Sequence, residues 1–280
     1  GKENFKSLAI VNILSGCLLL ALTATSARLG RIDWCIYSYA FSSVLNSLIL
    51  IWINRSSFRF TKPRLRYQFS FAFLKAAVPL ISPYFMSTIL YLPTLWLSTV
   101  ILLEMNGGSD ALPYFYFSDT IRSLIVFLCA ILAQSIYPRL IRSFSLGYYK
   151  KYLRLCLLFV LILTIICALG SSVLVFFSSK LLSVYNLDYY KALPVIYLAC
   201  TSAFLAALNA FLGQLLLAQR MPWAAFWGNS IWATILLISV FFLSYFVPIW
   251  TLLPCALLAS YAFLTVLQSF FVVNSLNSVR

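Results

Sequence analysis

An all-α, polytopic transmembrane bundle of about eight spans is the fold this sequence predicts, on three observations. Hydrophobic residues make up 63% of the 280 positions and charged residues only 9%, against about 45–50% and 25% in soluble domains. A single water-soluble core of this size leaves too much of the chain exposed to hide that apolar surface. The apolar residues also fall in runs of roughly 20 or more, the length a helix needs to cross about 30 Å of hydrocarbon. Lipid offers the backbone no partners, so such runs must be helices, and the alternation of a membrane barrel is absent. Third, the basic residues behind the net charge of +14 cluster in short loops between the runs. That placement suits lipid headgroups and helix orientation, and it excludes nucleic acid as a partner.

Taken in order, the first span is expected over residues 8–27 and the second over 32–54. Residues 55–68 carry Arg55, Arg59, Lys62, Arg64 and Arg66 with no acid and form a basic linker between two bundles. Residues 69–103 are continuously apolar but too long for one straight crossing at about 1.5 Å per residue. Pro79, Pro83 and Pro93 interrupt them, giving either two short helices or one kinked span. The turn at Asn106-Gly107-Gly108-Ser109-Asp110 ends that stretch, and a fourth span is expected over 112–137. Residues 138–154 form a second basic stretch, with Arg139, Arg142, Lys150, Lys151 and Arg154. Further spans are expected over 155–178, 192–219 and 223–247, with Pro248 opening an eighth that ends near 274.

The charges decide the ambiguous stretch. With eight spans, 14 lysines and arginines fall on one side and four (Arg28, Arg31, Lys180, Lys191) on the other, while Lys75 and Arg122 lie at membrane depth. Splitting residues 69–103 in two would move the later basic segments across and erase the bias. One kinked span therefore fits the positive-inside rule, with both termini cytoplasmic.

Catalytic and metal chemistry find little footing. There is no histidine, and Cys17, Cys35, Cys129, Cys156, Cys167, Cys200 and Cys255 lie within or beside apolar runs with no CxxC pair. They read as small buried hydrophobes, not ligands. No Gly-rich phosphate loop, Ser/His/Asp set or hydrolytic carboxylate pair is legible. No secretory signal pattern is legible at the start either, and a chain opening on Gly1 is expected to be a piece of a longer one.

Several short motifs then share an order. Phe73-Leu74-Lys75-Ala76-Ala77-Val78-Pro79-Leu80 is followed by the Asn106-Gly107-Gly108 turn and an aromatic helix start. Tyr137-Pro138-Arg139-Leu140 comes next, then Asn209 through Gly213 to Ala218-Gln219-Arg220. In that order they resemble the LK-x-x-x-P opening of the seventh helix, the P-x-[LI] close of the next and the N-x-x-x-G…A-x-G-[RK] end of the tenth in bacterial polysaccharide flippases of the O-antigen type. Those belong to one superfamily with multidrug and toxic-compound exporters and the lipid II flippase. Two departures stand out: Pro93-Thr94-Leu95 where an acidic residue is often found, and Gln219 in place of the glycine before Arg220.

The resemblance implies a MATE-like fold. Residues 1–54 would be the last two helices of an N-terminal lobe, 55–68 the cytoplasmic linker and 69–280 a complete six-helix C-terminal lobe. It also implies a transporter, not an enzyme, and one without cofactor or metal. The cargo would be an undecaprenyl-diphosphate-linked oligosaccharide crossing the bacterial inner membrane for O-antigen and lipopolysaccharide biosynthesis. Membrane lipids and other polysaccharide-assembly proteins would be its further partners. Two other functions stay open: a cation-coupled multidrug exporter of the same fold, and a membrane-embedded polymerase or glycosyltransferase. The first wants acids in its cavity and the second a large outer loop with catalytic acids.

Charges at membrane depth are costly and mark functional candidates. Asp119 and Arg122 stand at i and i+3 on one helix face. Arg122 either meets the diphosphate of the cargo, with Asp119 tuning it, or the two form a local ion pair that eases their burial. Lys75 either snorkels to the interface or captures phosphate in a cytoplasmic vestibule. Pro79 and Pro83 are a hinge or a static bend. Tyr114, Phe115, Tyr116 and Phe117 read as an interfacial girdle or a sugar-stacking surface. Asn12, Asn46, Gln134, Asn209, Gln214 and Asn229 read as interhelical hydrogen-bonding groups, with Gly213 permitting close packing. Residues 138–154 read as an amphipathic elbow on the inner leaflet.

Overall fold

The computed structural model describes residues 32–59 and 71–279, with scattered positions between 11 and 29. Every described element is an α-helix: α1 (Ile32–Arg59), α2 (Phe71–Leu103), α3 (Gly108–Ser145), α4 (Tyr149–Phe176), α5 (Ser178–Tyr185), α6 (Tyr189–Ala218), α7 (Pro222–Leu243) and α8 (Ile249–Val279). Six of them, α2 over Phe85–Leu103 together with α3, α4, α6, α7 and α8, are long and apolar enough to cross a bilayer. The chain is a multi-pass membrane protein. Of the two remaining expected spans, residues 32–54 lie within α1, and 8–27 are described at scattered positions only, which are helical.

The chain divides into two compact units, Gly1–Phe73 and Leu74–Arg280. In the first, hydroxyls tie the segment before α1 to α1 itself: Ser26 Oγ lies 3.4 Å from Ser38 Oγ, and Ser42 donates to the Ser15 carbonyl at 3.2 Å. Small polar residues at such crossings satisfy each other where lipid offers nothing.

In the second unit α6 is the hub. It packs most extensively against α3 and α8, and also touches α4, α5 and α7. Some 61% of its span is buried, against 17% for α4, the most apolar helix of the six. The inversion follows from the solvent. In lipid an exposed leucine costs nothing, so α4 turns Leu157, Leu161 and Leu169 outward. Close helix approach instead rewards small side chains, and α6 buries Ala192, Ala199, Ser202, Ala203, Ala206 and Ala207.

Helix ends follow backbone chemistry. Gly107 adopts φ +79°, and a Cβ on Gly108 would stand 1.9 Å from the Leu102 carbonyl oxygen, so only glycine fits this α2–α3 turn. Asp188 caps α6 by accepting from the Tyr190 amide at 3.0 Å. At the other end of α6, the Met221 amide bonds to the Leu216 carbonyl and the Arg220 amide to that of Leu217. This is a Schellman turn with Arg220, not glycine, in its left-handed position at φ +62°. That conformation costs a non-glycine residue about 1–2 kcal/mol.

Residues 71–103 form one helix that runs through Pro79, Pro83 and Pro93, as the charge count favours; other sequence expectations shift. Pro138 does not close the next helix, because α3 continues two turns beyond it to Ser145. Membrane helices tolerate such prolines where neighbouring helices and Ser/Thr side chains take over the freed carbonyls. No separate elbow occupies residues 138–154, since the helix carries Leu140 into the core and turns at Gly147 directly into α4. The aromatic run divides, too. Phe115 and Phe117 are buried in two different apolar clusters on either side of α3, and of the four Tyr116 alone is exposed. Among the cysteines, Cys129, Cys167 and Cys200 are buried, while Cys17 is exposed.

Gly108→Ala is expected to destabilise the protein by about 3 kcal/mol through overpacking against a backbone oxygen. Gly213→Ala, whose Cβ would meet nothing within 4 Å, serves as the control. Thermal unfolding in detergent should show a large drop for the first and almost none for the second.

Candidate functional site

Five helices of the second unit bring polar side chains to one cavity of about 590 Å³ at membrane depth. Ser87 and Tyr91 come from α2, Arg122 from α3, Asn209 and Gln214 from α6, Asn229 and Trp232 from α7, and Tyr261 and Gln268 from α8. Gly213 also lines it, with open space where a side chain would be. This glycine widens the cavity and does not tighten a helix contact. The close approach is made instead by Gly228, whose Cβ would meet Leu264 at 3.3 Å.

Arg122, only 4% exposed, organises the wall. Its Nε donates to Asp119 Oδ1 at 3.1 Å and its Nη2 to the same oxygen. Nη1 donates to the Tyr261 hydroxyl and Nη2 to the Tyr91 hydroxyl, each at 2.9 Å. Its guanidinium carbon also lies 5.6 Å from the Tyr261 ring centre, within cation–π range. Four guanidinium donors are thus engaged of the five an arginine has. An unpaired charge here would carry a desolvation penalty of several kcal/mol, so the carboxylate one helical turn away is the natural partner. The local ion pair forms, and Arg122 still faces the cavity.

The aromatic rings form a second feature. Trp232 stacks on Tyr91 with centroids 5.5 Å apart and planes at 13°, and it lies 5.5 Å from Tyr261 at 31°. Amides complete the lining. Asn209 Nδ2 donates to the Tyr261 carbonyl at 3.0 Å, and Asn229 Nδ2 donates to Ser87 Oγ, so both make interhelical bonds. Three polar atoms of this lining have no hydrogen-bond partner among the described residues: Trp232 Nε1, Asn209 Oδ1 and Gln268 Oε1. Their side chains are 3%, 5% and 2% exposed. Buried polar groups in native proteins almost always have partners; these three atoms are sealed behind the cavity wall, and the polar groups that reach its surface are the half-buried Ser87, Tyr91, Gln214 and Asn229.

Of the residues singled out in the sequence, Arg122 lines the cavity and Asp119 holds it. Lys75 lies in the second turn of α2, and its side chain is outside the described residues. Pro79 is exposed and Pro83 buried on the same helix. Tyr91, Trp232, Tyr261 and Gln268 were not anticipated. The available signal was depth: Tyr and Trp normally sit at the membrane interface, whereas Trp232 lies near the middle of α7 and Tyr261 well inside α8. Among the described residues no cluster of His, Cys, Asp or Glu could hold a metal ion.

Removing the carboxylate tests the wall. Asp119→Asn should lower stability by about 3–5 kcal/mol, because it strands a buried cation. The double variant Asp119→Leu/Arg122→Met should recover most of that loss. Thermal unfolding followed by tryptophan fluorescence would read both.

No protein-family model matches this chain, and no curated protein or solved structure does either, so its chemistry rests on the cavity's own residues.

Proposed function

We propose that this chain is a membrane transporter that flips a lipid-linked oligosaccharide, its glycan taken up by the cavity between α2, α3, α6, α7 and α8. The observation that carries this reading is a membrane-depth cavity whose wall combines stacked aromatic rings with hydroxyl and amide side chains. Sugars present flat C–H faces that stack on aromatic rings, ringed by hydroxyls that both donate and accept. Ser87, Gln214 and Asn229, half-buried on the wall, supply the donors and acceptors. Because Asp119 neutralises Arg122, the wall suits a neutral glycan better than a bare diphosphate. The acid is spent on the arginine, which weakens the reading as a cation-coupled drug exporter.

On this reading the finer expectations from the sequence come along as parts of the same proposal. The cargo is undecaprenyl-diphosphate-linked and crosses the bacterial inner membrane for surface polysaccharide. The chain contributes a six-helix C-terminal lobe and the last two helices of an N-terminal lobe, in a MATE-like arrangement of eight spans with both termini cytoplasmic. Alternating access then comes from one lobe rocking against the other, with the proline-bearing first half of α2 as the hinge. Lys75 and Arg122 serve the phosphate and glycan ends of the cargo.

Complementation of a flippase-null strain tests this reading through surface polysaccharide. Trp232→Ala should reduce polysaccharide by about tenfold, because it removes the ring that holds Tyr91 and Tyr261 in the wall, a stack worth about 1.4 kcal/mol. Arg122→Ala and Lys75→Ala should each reduce it. Undiminished polysaccharide in all three variants, with the protein folded and inserted, would refute the assignment.

A further inference from the structure

A second cavity, of about 580 Å³, lies where the end of α3 meets the α6–α7 turn. Its walls are divided by chemistry. Ile141, Phe144 and Leu217 form an apolar side, while Tyr137, Ser145 and Arg220 form a polar one. Arg220 is exposed and occupies the left-handed position of its turn, where glycine is the usual residue. A strained backbone that presents a cation to a cavity is the kind of outlier from which function is reasonably inferred.

The surroundings point to the occupant's charge. Consecutive crossing helices reverse direction, so the α3–α4 and α6–α7 connections share one end of the second unit. That end carries Arg139, Arg142, Lys150, Lys151, Arg154 and Arg220 with no acid, whereas the opposite connections carry Glu104, Asp110 and Asp188 beside Lys180 and Lys191. A basic membrane-facing end attracts anionic headgroups. Beneath the cavity, Gln219 donates to the buried Tyr152 hydroxyl at 3.2 Å, and Phe144 packs on Tyr152 at 5.4 Å between ring centres. These contacts fix the turn and the apolar wall against each other, so the site is preformed.

We propose that this cavity is a binding site for an anionic glycerophospholipid of the leaflet on the basic side. The phosphodiester meets Arg220, with the exposed Ser145 hydroxyl turning to it from the Arg142 carbonyl, and the start of one acyl chain lies along Ile141, Phe144 and Leu217. A single arginine in the wall suits the single charge of a phosphodiester better than a diphosphate. Leu217 also borders the central cavity, so the bound lipid sits next to the transport site without entering it. The proposal does not depend on which cargo is carried.

Native mass spectrometry of the whole chain, released from nanodiscs of phosphatidylglycerol and phosphatidylcholine, tests it. Wild-type protein should retain phosphatidylglycerol preferentially. Arg220→Gly relieves the left-handed strain, so it should unfold no earlier than wild type yet bind phosphatidylglycerol about fivefold more weakly, the worth of one interfacial arginine. Ile141→Trp, which fills the cavity and leaves every charge in place, should also lose the lipid. Lys150→Gln/Lys151→Gln, which removes neighbouring exposed charge, should keep it. Equal retention by Arg220→Gly and wild type would overturn the site. So would equal losses in the Lys150/Lys151 variant, or displacement of the lipid by inorganic phosphate or by a polyprenyl diphosphate.

Discussion

A cation held at membrane depth has to be matched there, and Arg122 imposes that constraint on the second unit. Asp119 meets it along the same helix, Tyr91 from α2 and Tyr261 from α8. Those bonds decide which helices converge. The convergence in turn places Trp232 between two tyrosine rings and brings Asn209 to the backbone of α8. The cavity lies against this polar cluster and shares its wall with Leu90, Val126, Ala206 and Leu264.

Around that polar centre the usual relation between hydrophobicity and burial is reversed. α4 is the most apolar crossing helix and the least buried, while α6 is mostly buried and lined with alanine and serine. With hydrocarbon outside, there is no gain from hiding leucine, and packing energy comes from how closely backbones approach. The two apolar clusters lie on opposite sides of α3, which is why Phe115 and Phe117, only two residues apart, are both buried.

The sequence carried the membrane character and most helix positions, because long apolar runs have only one stable form in lipid. Gly107-Gly108 marked its turn, since it acts through its own backbone chemistry. Proline misled at Pro138, where the rule learned from water ends a helix and the membrane lets it continue. The candidate site was half legible. Arg122 and Asp119 announced themselves by charge and spacing, and Asn209 by its polarity. Tyr91, Trp232 and Tyr261 did not, because an aromatic residue in an apolar run looks the same whether it faces lipid, a neighbour or a cavity. Which of these it faces is a property of the assembled bundle, and no local pattern encodes it.

The glycine turn between α2 and α3 has a bearing on how the buried charge is met. Two helices joined that tightly are neighbours in the chain and in the bundle, and between them they hold Asp119, Arg122 and Tyr91. Three of the four hydrogen bonds to the guanidinium therefore lie within this pair. The charge of the bundle's most costly residue is thus met mostly within one pair of neighbouring helices, and α8 adds the last bond.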